Sequence, residues 1–203
     1  MNFKLGTIVS GLVLAACLHG QVTPQLSKTE FTRRLVVAAV ERSKVHVRYV
    51  PEYVRITYPG GDVPADTGVC TDEIIRIYRS AGIDLQKDVH EDMATNFGAY
   101  PRTWKRTSPD TNIDHRRVPN LIVFFERNGE SLPKSQTAGD YLPGDVVTWD
   151  LGSGLTHIGM VVDRKPLLHD RFEVLHNIGQ GPQIEDVLFE WKITGHFRYY
   201  GRR

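Results

Sequence analysis

The stretch "DVPADTGVCTDEIIRIYRSAGIDL", residues 62–85, runs from a proline- and glycine-bearing loop into a segment with a clear apolar period. Cys70, Ile74, Ile77, Tyr78 and Ala81 recur at the spacing of one helical face. Gly82 lies just past the last apolar turn, where a glycine closes a helix, and Asp66 or Thr67 is positioned to cap its start. Asp72, Arg76 and Arg79 fall off the stripe and are expected to meet solvent. The segment is therefore a helix that opens on a cysteine, with the thiol in its first turn and facing the body of the protein.

The chain has one other cysteine, Cys17, and its setting differs. In "MNFKLGTIVSGLVLAAC" a single Lys4 precedes an uncharged run from Leu5 to Ala16. That run is shorter than the roughly 20 apolar residues a bilayer span needs, and it suits the apolar core of a secretory signal. "LAAC", residues 14–17, resembles a bacterial lipoprotein box, which implies lipidation of Cys17 and, with Leu18 following, release toward an outer membrane. The alternative is a plain signal cut near Ala16 or Gly20. Either route exports the protein, to the periplasm or as an outer-membrane lipoprotein. The expected organisation is a signal over 1–20, a tether over 21–26 and a single domain over 27–203. Cys70 then has no partner within the chain, in a compartment that oxidises thiols. It is either a reactive group or a small buried hydrophobe, as free cysteines often are.

The whole chain has 203 residues, 40% hydrophobic and 24% charged, with a formal net charge of +1. These values describe one ordinary globular domain. The near-neutral charge argues against a broad phosphate-binding surface, and so against nucleic acid as a partner.

Around the cysteine helix, "SKTE" at 27–30 has the pattern of a capping box, in which Ser27 satisfies an orphan amide and Glu30 reaches back. An amphipathic helix follows in "FTRRLVVAAVERSK", then an alternating strand in "VHVRYV". The stretch from His90 to Arg117 is polar, and a helix "VPNLIVFFERNG" follows it. Strands dominate afterwards: "DVVTW", "LTHIGMVVD", "FEVLHNIG" and "ITGHFRYY". Helices first and an antiparallel sheet second make an α+β layout.

A cysteine nucleophile acts as the thiolate. Helix N-terminal amides favour that anion, and an imidazole can take the proton. Strand alternation puts His157 on one face with Gly159 and Val161, opposite Ile158, Met160 and Val162. If "FEVLHNIG" is the neighbouring strand, His176 can orient the His157 ring, as a catalytic base requires. A zinc site from His157, His176 and Asp163 or Asp62 is the competing chemistry. It lacks any His-x-x-x-His or Cys-x-x-Cys spacing, so no metal and no cofactor are expected.

From Tyr58 onward the chain resembles the NlpC-type cell-wall peptidases of the papain-like superfamily. The pieces that carry this are "YPGGDVPADTGVC", "LPGDVVTWD", "THIGMVVD" and "VLHNIG". More closely it resembles a bacterial exported group, domain of unknown function 1287, through "DTGVCTD", "DTNIDHRRVPNL", "PGDVVTWDLG", "LTHIG" and "HNIGQGPQ". The resemblance implies a papain-like fold with N-terminal helices packed on an antiparallel sheet, and cleavage of an amide in peptidoglycan peptides. It also implies Cys70 as nucleophile, His157 as general base and His176 as orienter, with Asn177 the alternative third member. Tyr58 would flank the thiol, and the Cys70 amide would help bind the oxyanion. Arg116 and Arg117 either hold substrate carboxylates, which guanidinium forks match, or belong to a surface loop with internal ion pairs. Acyl transfer to an amine, or a non-catalytic wall-binding lipoprotein on the same fold, are the alternatives. Val69-Cys70-Thr71-Asp72 departs from the Asp-Cys-Ser-Gly usual in the peptidases, which bears on substrate preference.

Overall fold

The protein is described here by a computed structural model covering residues 26–202. The signal segment, Cys17 and all of the tether except Leu26 lie outside the described residues.

Ser27 caps the first helix, α1 (Lys28–Arg42), by accepting the Glu30 N–H at 3.2 Å. The reciprocal half of the capping box does not form, because Arg33 and Arg34 take the Glu30 carboxylate. The chain then forms β1 (Arg48–Tyr49), which pairs in parallel with β2 (Thr67–Gly68). Only the middle of "VHVRYV" is thus in a ladder. The cysteine helix is α2 (Cys70–Ser80), and Gly82 closes it at φ +90°, a conformation that suits glycine.

Next comes α3 (Leu85–Asn96), a helix the polar reading from His90 does not anticipate. Its buried stripe is thin, with Leu85, Val89 and Met93 four residues apart among charges. Asp84, whose carboxylate accepts the N–H groups of Gln86 and Lys87, is the start signal for it. The helix α4 (Val118–Asn128) begins where Pro119 predicts.

The remaining strands are β3 (Glu130–Ser131), β4 (Val146–Asp150), β5 (Thr156–Val161), β6 (Val174–His176), β7 (Gln183–Glu185) and β8 (Lys192–Arg198). They form one antiparallel sheet in the order β3-β8-β4-β5-β6-β7. The fold is α+β, with helices packed on an antiparallel sheet. Alternation divides the sheet cleanly. Ile158, Met160, Leu175 and Phe197 join the helical core with Leu35, Ile77, Tyr78, Leu121, Phe124 and Phe125. Val147, Trp149, Val161 and Val174 face a second layer closed by Tyr141 and Leu188, and the Trp149 indole donates to the Leu188 carbonyl at 3.0 Å.

One expectation about α2 fails. Its stripe is buried as read, yet Asp72 and Arg76 are buried as well, and only Arg79 remains partly open. Each charge is buried because it meets a partner from another segment. Arg116 grips Asp72 at 2.8 and 3.0 Å. Arg42 of α1 holds Glu73 at 2.6 Å. Arg76 binds Asp62 and the Thr67 carbonyl. Asp72 also accepts the Val69 N–H at 2.7 Å, so the helix start is capped from within rather than by Asp66 or Thr67. A helix periodicity marks which residues want an apolar neighbour. It does not say that the others lack a buried ionic one.

Candidate active site

Cys70 is the first residue of α2 and its side chain is almost fully buried. The backbone amides of Ile158, Thr71 and Cys70 itself are near enough to the sulfur to favour its thiolate form. Burial nevertheless pushes the thiol up to about 12, and Asp72 adds to the rise, while the amides act against it. The lowered pKa expected from the helix terminus is therefore overridden by desolvation, which penalises the charged form. Tyr49 lies beside the sulfur and is itself pushed up to about 12, by burial first and then by Cys70. In the free protein the thiol is neutral at physiological pH. Alkylation of Cys70 by iodoacetamide is expected to be slower than that of a model thiol at pH 7. Its rate should climb about tenfold per pH unit through pH 9. A plateau below pH 7 would instead report a preformed thiolate.

On β5, His157 shares its face with Gly159 and Val161, and β6 runs alongside with Gly159 opposite His176. A Cβ at Gly159 would sit 2.6 Å from Val174 Cγ1 and 3.2 Å from His176 Cβ. The glycine is what lets β6 come close. His157 Nε2 and His176 Nδ1 are 2.9 Å apart, and His176 Nε2 is 2.8 Å from Glu185 Oε2. Trp191 packs edge-on against both imidazoles, with centroids 5.9 and 6.1 Å away. Burial, and secondarily His176, lowers His157 to about 3. His176 is also lowered by burial, with Glu185 opposing.

Thiol and imidazole pair meet at β5 from different sides. Cys70 belongs to the helical core together with Ile158, whereas His157 packs beside Trp149 of the second layer. Among the described residues no hydrogen bond joins the thiol to either ring. What lies between them is Ile158, the residue after His157, which shares the helical core with Cys70.

The other expected residues divide. Asn177 is fully buried, accepts the Gly179 N–H at 3.1 Å, and leaves its Nδ2 without a partner. It is His176 and not Asn177 that bonds to His157. Tyr58 packs against His90 at a centroid distance of 4.9 Å and does not flank the thiol. Tyr49 does, because the short β1–β2 pairing draws it to the start of α2. Arg116 is not free for substrate. Its guanidinium is spent on Asp72 and on the carbonyls of Glu52 and Val50, and its side chain is 1% exposed. Arg117 is more open, pairing with Asp114 at 3.2 Å and lying 3.9 Å over the Trp104 ring. Among the described residues no group of three His, Cys, Asp or Glu side chains is gathered as a metal cage would be. Asp62, one of the alternative zinc ligands, is held by Arg76 and Arg79.

Cys70 forms part of the wall of a cavity of about 790 Å³, with Tyr49, Tyr53, Trp104, Arg117 and Leu155 around it. Thr156, which precedes His157, lines it too. The arrangement places a thiol on the wall of an aromatic groove that Arg116 and Arg117 also line, with a hydrogen-bonded imidazole pair on the strands beside it.

The family described as Domain of unknown function (DUF1287) matches residues 36–199. The chain belongs to that family. The DUF1287 chain is 48% identical over 186 residues to the uncharacterized protein YijF of Escherichia coli (strain K12), covering 88% of each. Among solved structures, a Staphylococcus aureus protein similar to lipoprotein, NLP/P60 family, aligns with a TM-score of 0.39 at 13% identity. That match covers 88% of this chain and 44% of the other, so the DUF1287 chain spans less than half of that protein's length. Glu185 and Tyr49 are the site residues that sequence reasoning misses in this DUF1287 member. Glu185 sits on a three-residue strand too short to register as a period, and Tyr49 in a two-residue one.

Proposed function

We propose that this protein is an exported cysteine hydrolase that cleaves an amide bond in peptidoglycan peptides, with Cys70 as nucleophile, His157 as base and His176 as orienter. The observation that carries the reading is the convergence at one strand. Cys70 opens α2 and packs beside Ile158 in the helical core, and the adjacent His157 is hydrogen-bonded to His176 at 2.9 Å. Export follows from the Leu5–Ala16 run, and the substrate class from the resemblance to cell-wall peptidases.

With substrate in the cavity, His157 takes the thiol proton as the sulfur attacks the carbonyl carbon. Among the described residues no hydrogen bond joins the two groups in the free protein, so this step requires one to form in the substrate complex. The carbonyl electrons move to oxygen, which the Cys70 amide and its neighbours receive. Collapse expels the amine, which takes the proton from His157 and leaves a thioester. Water then attacks that thioester, giving its proton to His157, and the sulfur departs as the thiol. The groove fits an apolar peptide body, and Arg117 is the cation available to a carboxylate.

The burial of Cys70 favours a second reading, a wall-binding protein without turnover. The two are separated by incubating the protein with digested peptidoglycan and weighing the products. New free amine ends made by the native protein and not by Cys70→Ala are the expected result. Retention of the fragments without cleavage, equal in both proteins, would establish the binding module instead.

A further inference from the structure

We propose that Glu185 is a positioning residue that fixes the protonation pattern of both imidazoles, and so leaves His157 Nδ1 bare to act as the base. The inference rests on the hydrolase reading and extends it to a residue on the edge strand β7. The argument is one of donors and acceptors. An ionised carboxylate only accepts, so the 2.8 Å contact requires His176 to carry its proton on Nε2. Burial lowers both rings, so each is neutral and carries one proton. His176 Nδ1 is then a lone pair, and the 2.9 Å contact with His157 Nε2 needs the His157 proton on Nε2. Nδ1 of His157 is what remains, unprotonated.

Without Glu185 the opposite pattern is equally well bonded. His176 could donate from Nδ1 to His157 Nε2, which would put the His157 proton on Nδ1, where it cannot accept another. Among the described residues nothing else on the pair discriminates, since Trp191 fixes ring planes and not protons. Glu185 is 44% exposed, so its removal opens no cavity in the core. Glutamine keeps the size of the side chain but offers both an acceptor oxygen and a donor NH₂, so it no longer selects one pattern, and alanine offers neither group.

The test uses full-length protein with ¹⁵N-labelled histidine, reading the ring nitrogens by NMR, alongside kinetics on peptidoglycan fragments. In the native protein His157 Nδ1 is expected to resonate as an unprotonated nitrogen, and in Glu185→Gln, whose amide can bond either pattern, as a mixture. In Glu185→Ala it is expected to shift toward a protonated one, with kcat down about tenfold to a hundredfold and KM unchanged. That is less than the roughly 10⁴-fold loss that follows a wrongly locked tautomer, because alanine leaves both patterns accessible. Unchanged His157 resonances in Glu185→Ala, in a protein that melts like the native one, would overturn the inference. The resonances are read without turnover. Failure of the hydrolase reading would therefore appear separately, as an inert native protein.

Discussion

Replacing Arg116 by alanine is expected to lower the unfolding free energy by about 3–5 kcal/mol, the usual cost of leaving one member of a buried ion pair alone. Arg116 and Asp72 are 1% and 2% exposed and meet through two hydrogen bonds. Arg116 also ties down the carbonyls of Glu52 and Val50. Truncation would strand the Asp72 charge at the start of the cysteine helix and free the segment that leads from β1. At about 2–4 °C per kcal/mol for a chain of this size, the melting temperature should fall by roughly 6–20 °C. Urea titration of the native protein and Arg116→Ala gives the number directly. A surface arginine reserved for substrate would behave in the opposite way, costing under about 0.5 kcal/mol in stability and raising KM. Exchanging both partners, as Asp72→Asn with Arg116→Met, should recover part of the loss, since the uncompensated charge is then gone.

The same pair marks where the sequence was legible. The apolar stripe of Cys70, Ile74, Ile77 and Tyr78, the glycine stop at Gly82 and the alternation about His157 are local periodicities, and each appears in the fold as expected. The pairing of His176 with His157 followed from strand adjacency, a short inference beyond periodicity. The misread residues depend on what arrives from far along the chain. Asp72 looked solvent-facing until a partner 44 residues away covered it. Tyr58 looked like the flanking tyrosine by order in sequence, yet β1 delivers Tyr49 instead. The direction of the thiol shift was misjudged for the same reason. Helix amides are visible in a sequence, but the depth of burial that outweighs them is a property of the assembled core.

That depth determines what the loss of His157 should do. A thiol pushed up to about 12 supplies about one thiolate in 10⁵ at pH 7, so the protein has no standing nucleophile to fall back on. Cys70→Ala is expected to lose at least about 10⁴-fold in amide cleavage. His157→Ala should approach the upper end of the 10²–10⁴-fold range for a general base, since proton removal then has to precede attack. Its residual rate should rise about tenfold per pH unit from pH 6 to 9, following the thiolate. The native rate should stay nearly flat over that range, because His157, lowered to about 3, is already neutral throughout. The double variant should be no worse than Cys70→Ala, as the two side chains act on one step. Initial rates on a defined peptidoglycan peptide across pH would test all three statements at once. A His157→Ala protein with less than a tenfold loss and the native pH profile would remove His157 from the chemistry. The buried sulfur would then be part of the core rather than a nucleophile.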